Sequence, residues 1–200
     1  LKQLTHKQHK NFVKVIINND SDVFEIFVNN LISDLCVQKI DPSNLTNLDK
    51  LGILLVVRAS NISPIGKFSI KQDKKVVNFE VNINDVIDTI SELDIKYTFK
   101  IADDNIAVTG TLPKKLAANN QTDIFTSCLS TVSFKNQHID YATLPEEGKV
   151  AMTNKLPSFI FSDILKYMVE QEQIVSAKPI VKIADKEMHL SVVGPAIIEI

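Results

Sequence analysis

Cys128 and His138 are the most reactive pair this sequence could bring together, because a thiol beside an imidazole can act as an activated nucleophile. Their surroundings favour a plainer reading. Cys128 falls on an apolar-periodic helix and His138 in the loop after it, which predicts a buried thiol and an exposed imidazole. His6 and His9 could share one helix face, but no carboxylate or thiol stands beside them at ligand spacing. They read as an exposed polar face. Asp103-Asp104-Asn105 offers two adjacent carboxylates, yet no His, Glu or third carboxylate follows at metal-ligand spacing. Asp and Asn also tolerate turn geometry, so a solvated hairpin tip is expected there. Arg58 is the one charge closing an otherwise apolar helix. A cation at that end is favoured by the helix dipole, and partner recognition is the competing role.

The motifs that carry common chemistries are missing. Only five glycines occur, and neither Gly52 nor Gly66 belongs to a phosphate-cradling loop. There is no Cys-x-x-Cys and no His-Glu-x-x-His. No catalytic, cofactor-binding or metal-binding residue is assigned, and no cofactor is expected. A site assembled in space from distant residues stays open as the alternative.

Bulk properties narrow the class further. Hydrophobic residues make up 44% of the 200 and charged residues 23%, which suits a globular protein with a real core. A net charge of −2 gives no general pull toward nucleic acid. The densest basic stretch, Lys71 to Lys75, is interrupted by Asp73 and reads as a solvated turn. The longest apolar run, Ile53 to Val57, falls far short of the roughly 20 residues needed to span a bilayer. Neither nucleic acid, nor membrane, nor a small-molecule substrate is expected as a partner. Cys36 and Cys128 read as two buried free thiols, which suits a reducing cytoplasm. The chain begins at Leu1 rather than Met, so residues upstream are expected.

The elements that position these residues follow from periodicity. Phe12, Val13, Ile16 and Ile17 share a helical face. Val23, Phe24, Phe27, Val28, Leu31, Ile32 and Leu35 form the clearest helical stripe, with Ser21 or Asp22 as its cap. This stripe is expected to pack on the next helix, with Phe27 in the core. Asp41-Pro42 breaks the chain, and Thr46 with Asp49 forms a capping box for an apolar helix through Val57. Two-residue alternation then predicts strands at Phe68–Ile70, Val77–Ile83, Ile95–Ile101 and Ile106–Val108, with a short helix at Asp85–Leu93. Helices are expected at Asp123–Leu129, Glu146–Asn154 and Pro157–Glu170, the last burying Phe161, Ile164, Leu165 and Met168. A C-terminal hairpin pairs Ile174–Ile183 with Met188–Val193 around Asp185-Lys186. No internal repeat stands out. The fold class is α+β: a helical N-terminal lobe (residues 1–62), then an α+β lobe (63–200) with an antiparallel β-rich middle, a helical segment and the hairpin, the two expected to form one compact chain.

One resemblance emerges from these segments. The run Leu45-Thr46-Asn47-Leu48-Asp49, followed by Leu54-Leu55-Val56-Val57-Arg58-Ala59-Ser60, resembles a pattern of the T-even-type phage baseplate hub family. There a helix ends in a Leu-x-x-Arg-Ala-x-Ser-like signature and leads into strands. The order of elements is similar, and Asp140–Glu147, with its aromatic residue and Pro-Glu-Glu, has similar counterparts. Some members carry Cys-x-x-Cys pairs in the strand region, whereas Lys67–Phe79 has none, so no metal carries over. The resemblance implies a baseplate hub subunit or hub assembly factor that docks on other hub and tail proteins without catalysis. It would work in the host cytoplasm during assembly and could remain in the virion tail baseplate. A hydrolase or transferase, or an adaptor or chaperone outside phages, is the alternative.

The chain finishes Gly194-Pro195-Ala196-Ile197-Ile198-Glu199-Ile200. Proline ends a ladder because it lacks the N–H donor. Ile197, Ile198 and Ile200 then either fold back on their own sheet or dock on a neighbouring subunit as an added strand.

Overall fold

Asp20, not Ser21 or Asp22, starts the second helix: its carboxylate accepts from the backbone N–H groups of Asp22 and Val23. The structure, a computed structural model, describes residues 1–18, 20–72, 75–116, 121–135, 137–179, 181–183, 186–189 and 191. Helix α1 spans His6–Asn18 and α2 spans Ser21–Leu35. Phe12 joins them, its ring stacking on Phe27 at 5.8 Å and tilting toward Phe24 at 6.5 Å. The side chains of Val13, Ile16 and Ile17 lie outside the described residues. On α2 the stripe is narrower than its apolar residues suggest. Val28, Leu31, Ile32 and Leu35 are buried, Phe27 is half-buried, and Val23 is exposed. Phe27 packs with Phe12 in a small cluster around Leu31, Leu35 and Val57, outside the main core.

Helix α3, Asn47–Asn61, carries the expected capping box. Asp49 N donates to Thr46 Oγ1 at 3.2 Å, and Thr46 N donates to Asp49 Oδ2 at 2.9 Å. Thr46→Ala is expected to cost about 1 kcal/mol in urea unfolding. No measurable change would mean that Asp49 alone holds the turn. The helix is not apolar all round, because it buries Lys50 and exposes Val56. At its far end Arg58 donates to Ser63 O at 2.9 Å, which ties the chain as it leaves the helix.

Strands β1 (Ile65–Gln72) and β2 (Lys75–Asn82) form an antiparallel ribbon. Residues 73 and 74 of the basic stretch are outside the described residues. Ile83 is not the end of β2 but the first residue of α4, Ile83–Ser91, which Asn82 caps. A four-stranded antiparallel sheet follows: β3 (Thr98–Ala102), β4 (Ile106–Thr111), β5 (Leu129–Phe134) and β6 (Gln137–Asp140), in that order. Helix α5, Gln121–Cys128, sits between β4 and β5. The strand expected from Ile95 begins only at Thr98, because Lys96 is pinned from outside the sheet. Its N–H donates to Gln171 Oε1 at 2.8 Å, and its carbonyl accepts from Tyr167 at 2.5 Å.

Helix α6 spans Glu146–Thr153 and α7 spans Ser158–Ser176, with Pro157 at the cap rather than inside the first turn. Ile160, Ile164, Tyr167, Met168, Gln171 and Val175 form its buried face, while Leu165 is 43% exposed. Ile174 to Ser176 therefore belong to α7 and not to the hairpin, which pairs β7 (Val181–Ile183) with β8 (Lys186–Met188). Lys186 opens β8 rather than occupying the turn. The main core takes Val28, Ile32, Leu48 and Leu51 from the helical start and Ile106, Val132, Ile160 and Ile164 from later elements. The architecture is α+β, with antiparallel pairing in every described ladder.

Candidate functional site

The residues with reactive potential are dispersed. Cys128 is fully buried, and burial pushes its thiol up to about 12, so it stays protonated at neutral pH. His138 lies exposed on β6 rather than in a loop, with Nδ1 3.0 Å from Ser133 Oγ. Cys36 is only half-buried. Asp103 turns the β3–β4 hairpin, its carboxylate accepting from the N–H groups of Asn105 and Ile106 at 2.8 Å each. His6 is exposed and His9 partly so. Among the described residues no three His, Cys, Asp or Glu side chains gather to hold a metal ion. Ile197, Ile198 and Ile200 lie outside the described residues.

The structure instead brings together groups that sequence reading passed over. Two short 3-10 turns, Pro42–Asn44 and Tyr141–Thr143, are built alike. In each an aspartate caps the turn: Asp41 accepts from Ser43 N, and Asp140 from Ala142 N, both at 3.0 Å. In each a leucine follows with nearly the same backbone, φ −77° and ψ 142° at Leu45 against φ −71° and ψ 142° at Leu144. Each turn then feeds a helix whose fourth residue is a lysine, Lys50 in α3 and Lys149 in α6. So a short motif does recur, Asp41…Leu45…Lys50 and Asp140…Leu144…Lys149, although no longer repeat is visible. Its matched spacing is the signal that could have found this site.

Both lysines line one cleft of about 230 Å³, together with Glu25 and Asn29 of α2 and the segment Lys114–Lys115. That segment is laced to the helices. Asn47 N donates to Pro113 O at 2.7 Å, Lys50 Nζ donates to Lys114 O at 2.7 Å, and Leu116 N donates to Glu25 Oε2 at 2.9 Å. Lys50 also pairs with Glu25, whose Oε1 accepts from its ammonium; the two side chains are 2% and 12% exposed. A buried pair of this kind needs further hydrogen bonds to offset the lost hydration, and both ions have them. Tyr141, also lining the cleft, is buried, with its hydroxyl 2.7 Å from Thr153 Oγ1 and donating to Lys149 O at 3.1 Å.

The electrostatics of the cleft are lopsided. Lys115 approaches Asp123 at 3.9 Å, and Lys149 approaches Glu146 at 3.7 Å near the surface. Among the described residues no carboxylate forms an ion pair with Lys114. Burial pushes its ammonium down, and the neighbouring Lys149 and Lys50 push the same way, against a smaller upward pull that includes the Asp140 carboxylate. Asp41 is engaged by Ser43 and Asn44, and its hydrogen bonds from Ser43 hold its carboxyl below the usual range. The arrangement is suited to receiving negative charge.

Comparison with known proteins gives one match. No curated protein and no solved structure matches the chain. A family model described as T4 bacteriophage base plate protein matches residues 1–191. With nearly the whole chain covered, from α1 to beyond the β7–β8 hairpin, the protein belongs to the T4 bacteriophage base plate protein family.

Proposed function

We propose that this chain is a baseplate hub component or hub assembly factor that acts through protein–protein contacts and without catalysis. The family match over residues 1–191 carries this reading, since it makes the chain a base plate protein whose neighbours are other base plate proteins of the virion tail. The hub assignment comes from the helix ending Leu55-Val56-Val57-Arg58-Ala59-Ser60, and the assembly itself would take place in the host cytoplasm. Arg58 spends one guanidinium nitrogen on Ser63 O, which favours the stabilising role over partner recognition. The buried, fully protonated thiol of Cys128 supports docking over nucleophilic chemistry.

Ile197, Ile198 and Ile200 are proposed to bear on a neighbouring hub subunit. Co-expression with candidate tail proteins, then affinity capture and sizing of the complex, tests both statements. Capture of hub proteins is expected with the full chain. Deleting residues 195–200 should abolish capture while leaving the thermal midpoint unchanged. Capture of no tail protein by the full chain would overturn the hub reading. A truncated chain that still assembles, or that unfolds readily, would remove the docking role of the three isoleucines.

A further inference from the structure

The cleft between the two Asp-capped turns gathers lysines from three separate segments, and its principal internal carboxylate, Glu25, is already committed to Lys50 and Leu116 N. Lys114 is half-buried and has no ion-pair partner among the described residues. A second observation lies on the facing helix. The buried side-chain oxygen of Asn29, Oδ1, which lines the same cleft, makes no hydrogen bond. An amide oxygen and nitrogen exchange places by a half-turn of the terminal bond, so this end can present an N–H inward. Turned that way, the inward N–H has no partner of its own, and an incoming acceptor supplies one.

We propose that this cleft is a socket for an acidic side chain of a neighbouring base plate protein, whose carboxylate enters between Lys114 and Lys149 and accepts from Asn29. Exposed apolar residues adjacent in sequence to the lining residues point to a protein rather than a free anion. Ile26, between Glu25 and Asn29 on α2, is 62% exposed, and Val150, next to Lys149 on α6, is also exposed. A charged socket beside exposed apolar side chains matches a carboxylate carried on an apolar segment, as at the rim and core of a docking interface. Charge-assisted hydrogen bonds to a partly desolvated ammonium would give the contact direction as well as affinity. The source of the carboxylate rests on the base plate reading, whereas the socket itself is testable on the isolated chain.

The test titrates the isolated chain with a capped Leu-Glu-Leu-Glu peptide. Its Leu-Gln-Leu-Gln counterpart and sodium phosphate at matched ionic strength serve as the other arms, and backbone amide NMR shifts are followed. Saturable shifts at Lys114, Leu116 and Ala142 are expected with the Glu peptide, weakening as salt is raised. Lys114→Met and Lys149→Met should each weaken binding at least about tenfold, the loss of one hydrogen bond to a charged group. Lys100→Met, on the exposed edge of β3, should bind like the parent. Should Lys114→Met fail to fold, Lys149→Met at the cleft mouth decides alone. Equal binding of the Gln peptide, binding of phosphate but not the Glu peptide, or no shift at these amides would each overturn the socket. None of these results touches the hub reading, which stands or falls on the capture of tail proteins.

Discussion

Glu25→Ala is expected to lower stability by roughly 3–5 kcal/mol, the range for breaking a buried ion pair from one side. The loss would come from what is left behind more than from what is removed. Lys50 would keep its ammonium at 2% exposure with only the Lys114 carbonyl as partner, and Leu116 N–H would lose its acceptor. Urea unfolding followed by far-UV circular dichroism measures the change. The double variant Glu25→Leu with Lys50→Met should recover most of the loss, because removing both charges also removes their desolvation cost. A single variant that loses less than about 1 kcal/mol would show that the pair is not buried as described. A double variant no better than the single would show that the hydrogen bond to Leu116, not the charge, dominates.

Ile164→Ala comes next, with an expected loss of roughly 2–5 kcal/mol. Ile164 is fully buried on α7 in the main core, on the face that also carries Ile160 and Met168. Truncation removes its transfer free energy and leaves a cavity that the surrounding core fills only in part. Its chain neighbour provides the control. Leu165 is 43% exposed, so Leu165→Ala should stay within about 0.5 kcal/mol. The sequence pattern treats both as buried, so the pair of variants separates pattern from packing. Equal losses at the two positions would mean that α7 is rotated from the orientation described.

The position of α7 shows why periodicity stops where it does. Phe161, Ile164, Leu165 and Met168 are all apolar at helical spacing, and spacing alone cannot choose between adjacent stripes. The choice is made by what lies opposite. The Tyr167 ring meets Phe99 at 4.9 Å, and Phe161 meets Phe125 edge-on at 5.2 Å. Buried Gln171, polar and easily taken for a surface residue, is drawn in because it holds Lys96. The same contact cuts short the strand that alternation alone would have begun at Ile95.

The features legible from the residues before any tertiary contact are local ones. The Thr46–Asp49 capping box, the break at Asp41-Pro42, the Asp103 hairpin tip and the α+β order of elements all depend on residues within a few positions of one another. The run ending Arg58-Ala59-Ser60 likewise resembled the baseplate family before the match across residues 1–191 placed the chain there. Beyond the matched Asp-Leu-Lys spacing of its two turns, the cleft was decided by tertiary structure. Glu25, Lys50 and Lys114 come from three segments far apart in sequence, and each looks like an ordinary solvated charge where it stands. Their burial follows from the folding of Pro113–Leu116 across the starts of α2 and α3, a long-range closure that no local pattern encodes.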